Sequence, residues 1–146
     1  SVMAVLRRRS DRIDLLKQIP LFSSLSQKDL NEVAKRADEV PVAKGTVIAK
    51  QGEQGSQCFI IIEGSVSVRR NNRKISLHGA GEVLGEMSLL DGKPRSASLR
   101  VESDGVLFVI HRRDFQYLVD HLPGLDRKLL VSLSTRLRAM DKALDH

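Results

Sequence analysis

The sequence predicts an α+β chain, mainly β, in which helices open and close a central all-β block. Three observations carry this. Residues 11–38 keep helical spacing, short β-branched stretches alternate with Gly, Asn or Pro punctuation from Val40 to Ile110, and a long amphipathic pattern fills the last part of the chain. The chain has 146 residues, about one domain by length. A fold of that size hides roughly 68–70% of its unfolded surface, so a real core is expected.

Each element follows from its residues. Ile13, Leu15, Leu16 and Ile19 form an apolar stripe that stops at Pro20. Ser26-Gln27-Lys28-Asp29 has the pattern of a capping box and opens a second helix carrying Leu30, Val33 and Ala34. Strands are predicted over Thr46–Ala49, Phe59–Ile62, Val66–Val68 and Lys74–Leu77. Their breaks fall at Pro41, Gly45, Gly52, Gly55, Gly64, Asn71-Asn72, Gly79 and Gly81. Two more strands, Ser96–Val101 and Val106–Ile110, flank a predicted turn at Ser103-Asp104-Gly105. Strands this short and evenly spaced predict an antiparallel sandwich or barrel. His111–His121 reads as a helix carrying Phe115 and Leu118, and Pro123-Gly124 interrupts it. Leu125, Leu129, Leu133, Leu137 and Met140 then line one long helix.

Composition removes several function classes. Lys and Arg total 24 against 18 acidic residues, a formal charge of +6. Arg7, Arg8 and Arg9 supply three of those six charges in one terminal run, which leaves the rest too mildly basic for a nucleic-acid platform. The aromatics are Phe22, Phe59, Phe108, Phe115 and Tyr117, few surfaces on which to stack single-stranded bases. Cys58 stands alone and forms no internal disulfide. No apolar run is long enough for a membrane span, and the first ten residues lack the apolar core of a secretory signal. A reducing, cytoplasmic setting is the expectation, and the start at Ser1 fits an excised piece of a longer chain.

Enzymatic motifs fail on inspection. The histidines, His78, His111, His121 and His146, have neither cysteine partners nor zinc-ligand spacing, and no Gly-x-Ser-x-Gly elbow exists. Gly92-Lys93 suggests a phosphate-binding loop, yet Met87 stands where its first glycine belongs and Pro94 replaces its hydroxyl residue. Gly79-Ala80-Gly81 begins like a dinucleotide fingerprint, but Leu84 occupies the third glycine position.

One segment has anion-site chemistry, Leu84-Gly85-Glu86-Met87-Ser88-Leu89-Leu90-Asp91-Gly92-Lys93-Pro94-Arg95-Ser96-Ala97. Gly85 lets backbone approach a ligand closely. Glu86 to Leu90 can make one helical turn whose first N–H groups carry partial positive charge. Arg95 offers a planar fork suited to two phosphate oxygens, with the Ser96 hydroxyl beside it. Glu86 suits sugar hydroxyls rather than phosphate. Charge and spacing leave a second reading equally open: Glu86 and Arg95 pair as a surface salt bridge worth at most about 1 kcal/mol.

This segment resembles the phosphate-binding cassette of the cyclic nucleotide-binding domain family, which runs apolar-Gly-Glu-x-small-Leu, a spacer, then Arg, a small residue and Ala. Gly52, Gly55, Phe59–Ile62 and Gly64 are similar to the family's earlier signature, with Ala49 and Cys58 standing where bulkier aliphatics are usual. Leu16–Ile19-Pro20-Leu21-Phe22 resembles its lead-in. The resemblance implies residues 12–146 as the nucleotide-binding domain behind a basic linker, 1–11. It implies an eight-stranded antiparallel jelly-roll barrel flanked by N-terminal helices and a C-terminal lid helix.

It further implies roles. Arg95 pairs with the cyclic phosphate, helped by backbone N–H groups near Met87 and Ser88 and by Ala97. Gly85 and Glu86 hold the ribose 2′-hydroxyl, Ser96 contacts phosphate or purine, and Val68 and Leu84 line the apolar part. Leu129, Leu133 and Leu137 give the lid an apolar face, and Arg136 or Arg138 stacks on the base. The ligand expected is cAMP, with cGMP the alternative, since serine at position 96 matches neither the threonine of cGMP relatives nor the alanine of cAMP relatives. No metal or cofactor and no reaction are expected. The output is a fused or associated channel, enzyme or second subunit, with no direct DNA binding by this chain. Rival readings are the effector half of a transcription regulator, and a degenerate domain that binds a partner protein through Arg69, Arg70, Arg73 and Lys74. Leu6-Arg7-Arg8-Arg9-Ser10 resembles a basic-directed kinase site, although Ser10 reads more simply as a helix N-cap.

Overall fold

The computed structural model describes residues 7–144. Its elements are α1 (Arg9–Lys17), α2 (Gln27–Arg36), β1 (Asp38–Val42), β2 (Val47–Ala49), β3 (Gln57–Arg70), β4 (Arg73–His78), β5 (Val83–Leu84), α3 (Glu86–Asp91), β6 (Ser98–His111), α4 (Arg112–His121) and α5 (Leu125–Leu144). The helical, all-β, helical order is as expected. Ser26 caps α2 by accepting from the Asp29 amide at 3.2 Å. Ser10 does not cap α1: the N-cap is Arg8, and Ser10 lies one residue inside the helix.

The strand count corrects the expectation. In place of eight strands in a closed barrel, the described residues hold a 6-stranded antiparallel sheet of order β1-β6-β3-β4, with β2 on β6 and β5 on β3. Short strands merge because β3 and β6 each run 14 residues through a bend. Phe59–Ile62 and Val66–Val68 are two parts of β3, joined by register shifts around Gly64. Ser103-Asp104-Gly105 is likewise no turn but the bend of β6, with Ser103 still paired to Ser65. Two strands escaped the sequence reading. Pro41 lies inside β1, tolerated because β1 ends the sheet and no ladder is lost on its outer side. β5 is only two residues long.

Glycine makes the double bend possible. A Cβ on Gly105 would sit 2.0 Å from the Glu63 carbonyl oxygen, and one on Gly64, whose φ is +94°, would sit 3.0 Å from the Asp104 oxygen. Backbone meets backbone here, so no side chain can move aside. Gly105→Ala is expected to lower stability by about 3 kcal/mol or more, read from the urea midpoint.

Two apolar clusters fill the fold. Leu16, Leu30, Val33, Ile60, Phe108, Ile110 and Leu118 join the helices to one face of the sheet, with Leu125 and Leu129 of α5 in the same cluster. Phe59, Ile61, Val66, Leu84, Leu99 and Leu107 pack on the other face, inside the roll. Arg7 ties the amino end down, with Nη1 at 2.7 Å from Glu39 and Nη2 at 2.7 Å from Glu63.

Candidate functional site

The segment from Gly85 to Ala97 lies where β5 ends against β3, at the mouth of the roll. β5 pairs Leu84 with Phe59, and the chain must then turn sharply into α3. Gly85 makes that turn with φ +83° and ψ 4° as the N-cap of α3. A Cβ there would lie 2.5 Å from Arg95 Nη1, so both the conformation and the space call for glycine.

Arg95 reaches into the fold although it follows an exposed loop. Its residue is only 8% exposed. The backbone is fixed first: its amide donates to the Glu53 carbonyl at 2.8 Å, and its carbonyl accepts from Gly52 at 2.8 Å. The guanidinium then donates through Nη1 to the Gly85 carbonyl at 2.9 Å and through Nη2 to the Gln57 carbonyl at 2.5 Å. Phe59 lies beneath, its ring centre 5.7 Å from Cζ. No carboxylate lies within 4.0 Å of this guanidinium among the described residues. Burial lowers its pKa and the neighbouring Arg112 adds to the effect, while Glu86, near but not paired with it, works the other way. A buried cation held only by neutral carbonyls still lacks an anion.

Glu86 is the complementary oddity. It is 2% exposed. Oε1 pairs with Arg136 of α5 at 2.6 Å, whereas Oε2 is buried with no hydrogen-bond partner. The surface Glu86–Arg95 pair left open by the sequence therefore does not form: both side chains are buried and each has other partners. Arg136 also donates to the Val83 carbonyl at 2.5 Å. Of the two lid arginines considered, α5 brings Arg136 to the cassette and leaves Arg138 exposed.

The remaining predicted residues divide. Ser88 is buried beside Gly55, and Leu84 belongs to the cluster inside the roll with Val68 packed against it. Ala97 is half-buried, whereas Ser96 is exposed and offers its carbonyl to Arg70 Nε at 3.1 Å. Met87 is exposed on α3. The apolar face expected of the last helix needs correction: Leu125 and Leu129 are buried and Leu133 is half-buried, but Leu137 is 60% exposed. The helix leaves the body of the fold after about three turns. His146 lies outside the described residues.

Sequence reasoning missed Gln57 and Arg112. The Gln57 carbonyl is a backbone contact that no residue type signals. Arg112 donates through Nη2 to the Gly55 carbonyl across 57 positions of sequence, a separation that periodicity cannot bridge.

A cyclic nucleotide-gated potassium channel of Rhizobium etli is 36% identical over 121 residues, 81% of this chain and 34% of the channel. The chain thus spans about a third of the curated relatives matched first. The crystal structure of the Thermus thermophilus catabolite activator protein superposes with a TM-score of 0.77 at 33% identity, covering 86% of this chain and 62% of that one. The regulatory domain of Toxoplasma gondii protein kinase A, solved with cAMP, superposes at 0.68 with 27% identity, over 75% of this chain and 44% of its own. The described residues include no helix long and apolar enough to cross a membrane and no metal-holding group of His, Cys, Asp or Glu. The family profile of the cyclic nucleotide-binding domain matches residues 39–121, so this chain belongs to the cyclic nucleotide-binding domain family, whose members are regulatory ligand-binding domains rather than catalysts.

Proposed function

We propose that this chain is a cAMP sensor whose ligand phosphodiester is taken by Arg95. The observation that carries the reading is the buried guanidinium without a counter-ion, set beside a buried carboxylate with one unpartnered oxygen. A cyclic nucleotide presents the matching pair: one negative phosphodiester and, nearby, a ribose hydroxyl that donates a hydrogen bond. Glu86 Oε2 accepts from the hydroxyl together with the Gly85 backbone, while backbone N–H groups near Met87 and Ser88, and at Ala97, complete the anion's partners. Val68 and Leu84 supply apolar wall, and Ser96 sits at the rim, where its hydroxyl meets phosphate or purine. Serine at position 96 favours neither purine, and the cAMP-bound relative supports cAMP over cGMP.

The sensor acts by moving a helix. Gly124, at φ +82°, gives the chain a hinge between α4 and α5. Arg136 then latches α5 to the cassette through Glu86 and Val83. Ligand favours the latched arrangement by binding it more tightly than the open one, which is the only way occupancy becomes a signal. Residues 12–146 form the sensing unit, and α5 passes its position to a linked channel, enzyme or second subunit. An intracellular messenger as ligand carries a cytoplasmic location with it.

Thermal melting tests the reading. cAMP at 100–1,000 times its dissociation constant is expected to stabilise the protein by about 3–4 kcal/mol. Identical melting with and without cAMP and cGMP overturns the proposal.

A further inference from the structure

We infer that Arg112, the first residue of α4, is a positioning residue for Arg95 and links the anion site to the terminal helices. This rests on the nucleotide reading above. The link runs through a single strip of backbone. The Arg112 amide donates to the Ser56 carbonyl at 2.8 Å, and its guanidinium donates to the Gly55 carbonyl. On the other side of Gly55 stands the cassette. A Cβ there would lie 2.6 Å from Ser88 Cβ and 3.2 Å from both Cζ and Nε of Arg95. Gly55 is thus pressed between two arginines with no side chain to cushion them. The same strip continues to Gln57, whose carbonyl holds Arg95 Nη2. Moving residues 55–57 moves the phosphate-binding guanidinium.

Electrostatics gives this contact a direction. Neither Arg95 nor Arg112 has a carboxylate within 4.0 Å among the described residues, so two cations flank one glycine. An anion on Arg95 screens their repulsion, and Arg112 then stays docked on Gly55 at lower cost. Docked Arg112 seats the start of α4, and α4 packs against both α3 and α5. Occupancy therefore reaches α5 by a second route, separate from the Glu86–Arg136 latch. Arg112 lies outside the residues assigned to the ligand, so it acts on the anion through Gly55 and Arg95.

Arg112→Met and Arg112→Lys distinguish this from a merely structural role. Binding of cAMP is measured by calorimetry, and amide hydrogen exchange of α4 and α5 is followed with and without saturating cAMP. Arg112→Met is expected to weaken cAMP binding at least tenfold, to remove the ligand-induced protection of α4 and to reduce that of α5, which keeps its Glu86–Arg136 latch, while the cassette remains protected. Arg112→Lys keeps the charge but not the fork, so it restores affinity only in part. Should Arg112→Met not fold, Arg112→Lys decides it alone: its cAMP affinity must fall below wild type by more than twofold, with weaker ligand-induced protection of α4. Wild-type affinity within twofold, with α5 protection retained, overturns the inference and leaves the nucleotide reading intact. Wild-type protein that binds neither cyclic nucleotide overturns the reading itself, and the inference with it.

Discussion

Arg95→Leu is expected to leave a folded protein that binds cAMP roughly 10²- to 10³-fold more weakly. The guanidinium is buried, so the phosphodiester it meets is shielded from water and the pair is worth far more than a surface contact. Removing one partner of such a pair costs about 3–5 kcal/mol, because the remaining charge stays buried and unpaired. Each 1.4 kcal/mol is about a factor of ten in affinity. Without ligand the balance is different. Leucine leaves the Gly85 and Gln57 carbonyls without their donor, at about 1–3 kcal/mol, but it also removes a buried cation that has no counter-ion. These oppose one another, so melting of the unliganded variant should shift by only a few degrees. Arg95→Lys separates charge from shape: an ammonium lacks the planar fork that bonds two carbonyls and the anion together, and affinity should fall between wild type and Arg95→Leu. Calorimetric titration of all three proteins decides it. Undiminished affinity in Arg95→Leu would remove the phosphate assignment.

What the sequence disclosed and what it hid divide along physical lines. Local chemistry was readable. Gly85 had to be glycine at a turn, Ser26 had to cap a helix, and the resemblance to the family's cassette, more than spacing alone, singled out Gly85, Glu86 and Arg95 as candidates. Residue type and short spacing carry such features directly. Strand continuity was not readable, because glycine at position 64 or 105 marks either a turn or a bend, and only the partner strand decides which. In β3 and β6 the partners are each other, so both strands bend together and stay paired. Pro41 misled for a related reason: proline excludes a central strand but is harmless at the edge that β1 occupies. Burial of charge was also hidden. Charge and spacing alone could set Glu86 against Arg95, yet the fold carries Arg136 in from 50 positions downstream to take Glu86. The apolar spacing of α5 continued past the point where the helix has anything to pack on, so Leu137 counted as lid face although the body of the fold has already ended.

Arg136→Ala is expected to reduce stability at neutral pH by about 2–3 kcal/mol, which is the second large effect. The energy does not come from the ion pair as a surface contact. Arg136 is itself about a third exposed, at 37%, so its side of the interaction is screened by solvent. It comes from Glu86, which is 2% exposed and has one oxygen already without a partner. Take away Arg136 and both carboxylate oxygens are stranded in a dry site. Glu86→Gln removes the charge and keeps the shape, so Arg136→Ala in that background should cost markedly less than in wild type. The double-mutant cycle is expected to report a coupling of about 1–3 kcal/mol. Arg138→Ala, two residues further along α5 and exposed, serves as the control and should unfold with wild type. Urea midpoints for the four proteins of the cycle and the control give the answer. A wild-type midpoint for Arg136→Ala would mean that α5 is not latched through Glu86, and the direct route by which the cassette would report its occupancy to that helix is then lost.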